Sequence, residues 1–326
     1  MDKVGASVGQ LLERWRGHWQ TVGPGLVDDF QEPALEATPW CASVTNERGE
    51  LIEHSGAYHQ GERRDLLVVI LHGLGGHVDR GYCLNAAVAA DRQGLSTLRL
   101  ALRGSDGRGA DFHHAGLTSD LARVLQAPPL DAYERIALVG YSLGGHVALS
   151  AQSRCIDDRL RATVAICPPL DLSEAQRSID RRRNWIYREY ILRALKEMYA
   201  RLVSLGCEPT PVDRVLRCRS LREWDALTVV PRFGFGNVDH YYRSQSVGPR
   251  LQAIDRPTLI VASPGDPMIP ASSLRPHLKE APDAVTTRWV DGGGHVYFPA
   301  RADLGLGSGG SVEDQVMAWI DAQIEP

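Results

Sequence analysis

The pattern of apolar and polar positions divides the chain into three stretches. From Leu66 onward, short apolar runs at 66–71, 97–102, 136–139, 163–167, 258–262 and 285–290 read as strands, and the first of them has no polar interruption at all. An unbroken apolar run of this length suits a strand covered on both faces. Between the runs lie segments able to form helices, at 86–93 and 119–125. A closing helix over 312–324 repeats apolar residues at Val312, Val316, Trp319 and Ile320. Strands that alternate with helices predict an α/β fold, with a mostly parallel central sheet, right-handed crossovers and helices on both faces. Ligands of such sheets sit at the carboxyl ends of the strands.

The alternation stops after Pro168-Pro169 and resumes near residue 251. Over 171–206 the spacing is helical, with an apolar stripe of Tyr187, Ile191, Leu195, Met198 and Leu202, a kink near Asn184, a capping box from Ser173 and Gln176, and a stop at Gly206. The remainder mixes helix and turn around Trp224, Phe233 to Gly236, and Tyr241-Tyr242. Residues 171–250 are therefore expected to form a helical cap inserted into a core made of 61–170 and 251–326. Residues 1–60 read as an N-terminal arm and a hairpin. In the arm Leu11 or Leu12, Trp15, Trp19 and Val22 recur at helical spacing up to Gly23-Pro24-Gly25, and residues 46–49 supply the hairpin turn. The two tryptophans leave a peripheral membrane contact of that helix open, against the simpler reading of a helix packed over its own core.

Composition narrows the classes. The chain has 326 residues, 43% hydrophobic and 23% charged, with a formal net charge of −4. This is an ordinary globular composition, with no basic excess to recruit nucleic acid or an anionic membrane as a whole-molecule partner. No apolar run approaches the roughly 20 residues that a bilayer span needs. The start, Met1-Asp2-Lys3-Val4-Gly5, does not read as a secretory signal. The six cysteines, Cys41, Cys83, Cys155, Cys167, Cys207 and Cys218, include no Cys-x-x-Cys pair. They read as buried thiols in a reducing compartment, so the cytoplasm is the expected location. Arg181-Arg182-Arg183, amid other basic residues, leaves an anionic-substrate or membrane role open, against the simpler reading of a solvated helix face.

The candidate chemistry begins at Gly140-Tyr141-Ser142-Leu143-Gly144, between the run at 136–139 and a stretch that can be helical. In that setting Gly-x-Ser-x-Gly marks a sharp strand-to-helix turn that lifts a serine hydroxyl clear of the sheet. A serine hydroxyl needs a base to take its proton and an acid to orient that base. Asp266 follows the run at 258–262, within Ser263-Pro264-Gly265-Asp266-Pro267. His295 follows the run at 285–290, within Asp291-Gly292-Gly293-Gly294-His295. The order Ser142, Asp266, His295 is that of the α/β-hydrolases. The expected oxyanion donors are the backbone N–H groups of Leu143 and of Leu74, the latter in His72-Gly73-Leu74-Gly75-Gly76. Asp171 is the competing acid, although it also suits a helix cap, and Asp291 is too close to His295 in sequence to be favoured. His114, in the loop after the second run, and Tyr141, inside the motif, are candidates for substrate contact. The adjacent pair His113-His114 lacks metal-ligand spacing, and no metal or cofactor is expected.

These residues together resemble the YheT-like branch of the α/β-hydrolases, over most of residues 65–325. The resemblance rests on His-Gly-Leu-Gly-Gly from His72, Leu102-Arg103-Gly104-Ser105, His114-Ala115-Gly116 with Asp120, and Gly-Tyr-Ser-Leu-Gly-Gly. It continues through Tyr190 to Lys196, Glu223-Trp224-Asp225 with Thr228, Gly234-Phe235, Tyr241-Tyr242, the Asp266 loop and Gly293-Gly294-His295-Val296. Leu117 stands where the family usually carries an acidic residue, and Trp224 where it usually carries phenylalanine. The resemblance implies an α/β-hydrolase fold, no metal, and hydrolysis of short- to medium-chain esters. The expected partner is thus a small ester with an apolar acyl chain. An acyltransferase or thioesterase with the same triad, and a non-catalytic binding protein on the same scaffold, remain the competing readings.

Overall fold

A computed structural model describes residues 35–46, 48–109, 111–203 and 209–324. The amphipathic arm expected over 11–22 and the stop expected at Gly206 lie outside the described residues. Among the described residues eight strands form one sheet: β1 (Thr38–Thr45), β2 (Leu51–His59), β3 (Leu66–Leu71), β4 (Ser96–Leu100), β5 (Arg135–Tyr141), β6 (Leu160–Ile166), β7 (Thr258–Ala262) and β8 (Val285–Trp289). Their order across the sheet is β1-β2-β4-β3-β5-β6-β7-β8. From β4 to β8 all neighbours are parallel, as the strand–helix alternation predicts. The residues of β3, β4 and β7 are all buried, whereas β8 at the edge is half-buried.

The hairpin grouped with the arm on sequence grounds is built into this sheet. β1 and β2 pair antiparallel, and β2 continues antiparallel onto β4, with Gly56 opposite Leu100 and His59 opposite Thr97. The reason is the outer edge of β4. Left uncovered, a fully buried strand would have a row of backbone N–H and C=O groups without partners.

Side-chain alternation along β3 sorts the core into two layers. Leu66, Val68 and Ile70 pack with α1 (Gly81–Asp91) and the closing helix Val312–Ile324. Leu67, Val69 and Leu71 face α2 (Ser119–Val124), α3 (Leu143–Ser153) and the cap.

The cap is inserted between β6 and β7 as α4 (Leu172–Ile179), α5 (Trp185–Val203), α6 (Val212–Leu216), α7 (Leu221–Leu227), α8 (Val229–Phe233) and α9 (Val238–Gln245). Its stripe of Tyr187, Ile191, Leu195, Met198 and Leu202 is buried as expected. The helical stretch expected over 171–206 with a kink near Asn184 is interrupted at that place, but by a full break between Ile179 and Trp185. At the break the Asn184 side-chain amide, fully buried, donates to Ser178 O at 2.8 Å and to Pro267 O at 2.7 Å. The cap residue also differs from the Ser173–Gln176 box: Asp171 Oδ1 accepts from Glu174 N at 3.0 Å. On the far side of the cap, Arg232 of α8 donates to Asp111 at 2.8 Å and to Glu50 at 2.9 Å, and Asp111 also pairs with buried Arg103. Buried charges persist when each has a partner in this way, and the network ties cap to hairpin.

Candidate active site

At the end of β5, Ser142 adopts φ +52° and ψ −116°, a conformation that a side-chain-bearing residue holds only when its surroundings enforce it. Ser142 N donates to Ile166 O of β6 at 2.8 Å, and Ser142 O accepts from His146 N at 3.1 Å, the first hydrogen bond of α3. The flanking glycines are a matter of space. A β-carbon on Gly140 would stand 2.2 Å from Gly144 O, and one on Gly144 would stand 2.2 Å from Leu71 O.

His295, in the loop after β8, reaches two partners. Its Nε2 lies 2.8 Å from Ser142 Oγ and its Nδ1 2.7 Å from Asp266 Oδ2. The other carboxylate oxygen, Asp266 Oδ1, accepts from Met268 N at 2.8 Å and Ile269 N at 2.9 Å. The carboxylate is therefore fixed by its own loop, and Oδ2 remains for the imidazole. Ser263 joins the two loops, donating its hydroxyl to Gly293 O at 2.6 Å while accepting from Gly265 N at 3.2 Å. Asp266 and His295 are buried; of the rival acids, Asp171 caps α4 and Asp291 is exposed.

Opposite Ser142 runs the turn that follows β3. His72 is fully buried and ties this turn together. Its Nε2 accepts from Leu102 N at 3.2 Å, so the ring proton resides on Nδ1, which donates to Gly73 O at 2.8 Å. Burial pushes its pKa down to about 3, which keeps the ring neutral. Gly73 N is held in turn by the Tyr82 hydroxyl of α1 at 3.2 Å. Leu74 next along the turn, and Leu143 at the first position of α3, both border the cavity that contains Ser142 and His295. An N–H in the first turn of a helix has no intrahelical acceptor.

That cavity has a volume of about 400 Å³ and extends under the cap, between Leu172 and Ile179 of α4, Ile191 and Leu195 of α5, and Trp224 of α7. Its walls are mainly apolar. One exception is Asp225 of α7, which accepts the Tyr242 hydroxyl at 2.5 Å; burial pushes this carboxyl up to about 7. His114 also borders the cavity, edge-on to Phe233 at 4.5 Å and to Phe235 at 5.4 Å. Tyr141 does not. The strand's alternation turns it to the opposite face, where it is fully buried and stacks on Tyr82 at 4.6 Å, so it cannot meet a substrate in the cavity.

Among the described residues, one grouping of metal-type donors occurs, Cys167, Asp266 and His295, with ligand atoms within 4.8 Å of one another. Two of its members are already hydrogen-bonded to each other. Burial, followed by the Asp266 charge, pushes the Cys167 thiol well above its ordinary range and keeps it protonated. Tyr82 lay outside sequence reasoning, and Ser263 and Cys167 were given no role in the site, because each acts across the fold.

Comparison with known proteins gives the same architecture. The model of the Alpha/beta hydrolase family matches residues 68–304. YheT of Escherichia coli (strain K12), whose name marks it as a candidate esterase, is 27% identical over 290 residues, 86% of this chain and 84% of the relative. Human Phospholipase ABHD3 is 22% identical over 237 residues, 71% of this chain and 58% of the relative. Among solved structures, Est1E from Butyrivibrio proteoclasticus superposes with a TM-score of 0.55 at 20% identity, covering 87% of this chain and 98% of Est1E. A family match over most of the chain, on a fold with this strand order, makes the protein a hydrolase of the alpha/beta hydrolase family, in its YheT-like branch.

Proposed function

We propose that this hydrolase is a carboxylesterase acting on short- to medium-chain acyl esters through Ser142, His295 and Asp266. The observation that carries the reading is the unbroken hydrogen-bonded line Ser142 Oγ–His295–Asp266, at 2.8 and 2.7 Å, opening on a mainly apolar cavity. His295 Nε2 takes the Ser142 proton as Oγ attacks the ester carbonyl. The Nδ1 proton stays on the imidazole, and the Asp266 carboxylate stabilises the imidazolium that forms. The carbonyl oxygen, now negative, is received by the N–H groups of Leu74 and Leu143, each worth about 3–4 kcal/mol in a site of this kind. The imidazolium then protonates the leaving alcohol, and a water activated by the same nitrogen releases the acyl group. His72 and Tyr82 act beforehand, by holding Gly73 so that Leu74 N needs no reorganisation when charge develops.

The acyl chain fits the apolar walls under the cap, and His114 is positioned to touch the substrate. The described cysteines are free thiols, which supports a reducing compartment such as the cytoplasm. A nitrophenyl-ester series of increasing chain length, run with water, alcohol and thiol acceptors, tests the assignment. Hydrolysis with an optimum at short to medium chains is expected. Transfer to alcohol or thiol that outruns hydrolysis would reassign the enzyme as a transferase, and absence of turnover on every ester would remove the esterase reading.

A further inference from the structure

The cap carries a surface feature that the hydrolytic chemistry does not use. Three large apolar side chains stand exposed together at the start of α5: Trp185 at 56%, Ile186 at 49% and Tyr190 at 40%. The opposite side of the same helix packs Tyr187, Ile191 and Leu195 into the core, so the helix is apolar on two sides at this end. Two of the trio also border the candidate site. Ile186 and Tyr190 line the cavity that contains Ser142 and His295, and Arg80 holds its guanidinium 5.3 Å from the Tyr190 ring at the same mouth.

The charge around the trio is predominantly positive. Residues 174–197 contain six arginines (177, 181, 182, 183, 188 and 193) and Lys196 against Glu174, Asp180, Glu189 and Glu197, a local surplus of three positive charges in a chain whose formal net charge is −4. The acids pair with the flanking groups, Glu174 with Arg177 at 2.5 Å, Glu189 with Arg188 at 3.4 Å, Glu197 with Arg193 at 4.0 Å and Asp180 with the backbone N–H of Leu221 at 2.9 Å, and the surplus centres on the run Arg181 to Arg183. Arg181, Arg182 and Arg183 are exposed beside Trp185. A solvated helix face accounts for the arginines but leaves the exposed tryptophan, isoleucine and tyrosine unexplained. Apolar and amphipathic rings rimmed by arginine match a bilayer interface, where the rings enter the headgroup boundary and the guanidinium groups meet lipid phosphates.

We propose that the start of α5 docks on the surface of an anionic phospholipid bilayer, with Trp185, Ile186 and Tyr190 entering the interface and Arg181 to Arg183 holding headgroup phosphates. The mouth of the cavity then faces the membrane, and an acyl chain can pass from lipid to Ser142 without crossing water. That last consequence rests on the esterase reading; the docking itself does not.

The test uses the full chain carrying Ser142→Ala, which cannot turn lipid over, sedimented with vesicles of mixed phosphatidylglycerol and phosphatidylcholine or of phosphatidylcholine alone. Docking gives binding to the anionic vesicles that exceeds binding to the neutral ones and falls with added salt. Arg181→Glu with Arg182→Glu weakens it by about tenfold or more, and Trp185→Ser weakens the part that survives salt. In the Ser142 background of the active enzyme, both sets of substitutions leave turnover of a water-soluble nitrophenyl ester at the parent's rate, which shows that they fold. No binding to anionic vesicles overturns the proposal. So does binding that the α5 substitutions leave unchanged, since the contact then lies elsewhere, for example in residues 1–34. Vesicle binding by a chain that hydrolyses no ester would support docking and overturn only the esterase reading.

Discussion

Gly73 faces Ser142 so closely that a β-carbon on Gly73 would stand 3.2 Å from the Ser142 β-carbon, 3.4 Å from Tyr141 O and 3.6 Å from the Tyr82 hydroxyl. The contact is tight without being impossible, so Gly73→Ala is expected to fold and to displace the turn by a few tenths of an ångström. A displacement there moves Leu74 N and the serine relative to each other. Turnover should fall by about 10- to 100-fold on a nitrophenyl ester, while the unfolding midpoint in urea moves little. A parent-like kcat would show that this turn takes no part in catalysis.

Gly144 poses a harder constraint, because its neighbours are backbone. A β-carbon there would be 2.2 Å from Leu71 O and 2.7 Å from His72 O, and neither strand end can retreat. Gly144→Ala should therefore destabilise the fold itself by about 3 kcal/mol or more. Denaturation followed by circular dichroism distinguishes this from the Gly73 case, where stability survives and activity does not.

Two aspartates that compete in the sequence separate in their consequences. Asp266→Asn leaves the two backbone N–H donors to Oδ1 in place but cannot stabilise an imidazolium, and kcat should fall by about 10⁴-fold. Asp171→Asn touches only the α4 cap and should cost about 1 kcal/mol or less of stability with turnover retained. If the Asp171 change alone abolishes turnover, Asp266 is not the orienting acid.

The contrast between these residues indicates what a single sequence can disclose. Strands β3 and β7 were legible to the residue because full burial on both faces leaves a continuous apolar run, and the chain order of serine, aspartate and histidine follows from motif and strand ends. The α4–α5 interruption was legible in place, as a kink near Asn184, but not in extent, because helical spacing runs on through it. At the break the Asn184 amide donates to Pro267 O, more than 80 residues away in the loop that carries Asp266. The hairpin's place in the sheet escaped because it depends on the open edge of β4. Tyr82, from outside any motif, and Ser263, from within the Asp266 loop, hold the two halves of the site, and Tyr141 lay inside a motif yet points away from the cavity. Local pattern reports burial and turn chemistry well; it does not report which distant group completes a hydrogen bond.

Asp225 gives the fold a pH dependence with a definite sign. Its carboxyl has an ordinary pKa of 3.8 and is pushed up to about 7 in the folded chain, chiefly by burial, with Tyr242 and Arg222 opposing and Asp180 reinforcing the shift. Below the unfolded value the carboxyl is protonated in both states and costs nothing. As pH rises the unfolded chain releases its proton first, so stability falls until the folded value is passed. Asp225→Asn removes this term and keeps the acceptor for Tyr242. Between pH 4 and pH 8 the variant should gain about 4 kcal/mol relative to the parent, read from urea denaturation at each pH. A difference that stays constant with pH would mean that the carboxyl ionises in the folded protein as it does in water.

The most direct test of the serine chemistry is covalent. Folded protein is incubated with a fluorophosphonate, and the modified peptide is identified by mass spectrometry. Labelling confined to Ser142, absent in Ser142→Ala and strongly slowed in His295→Ala, is the result expected of a serine activated through the 2.8 Å contact to His295. A folded protein that takes up no probe, or takes it up at another residue with Ser142 untouched, would contradict the assignment of Ser142 as the nucleophile.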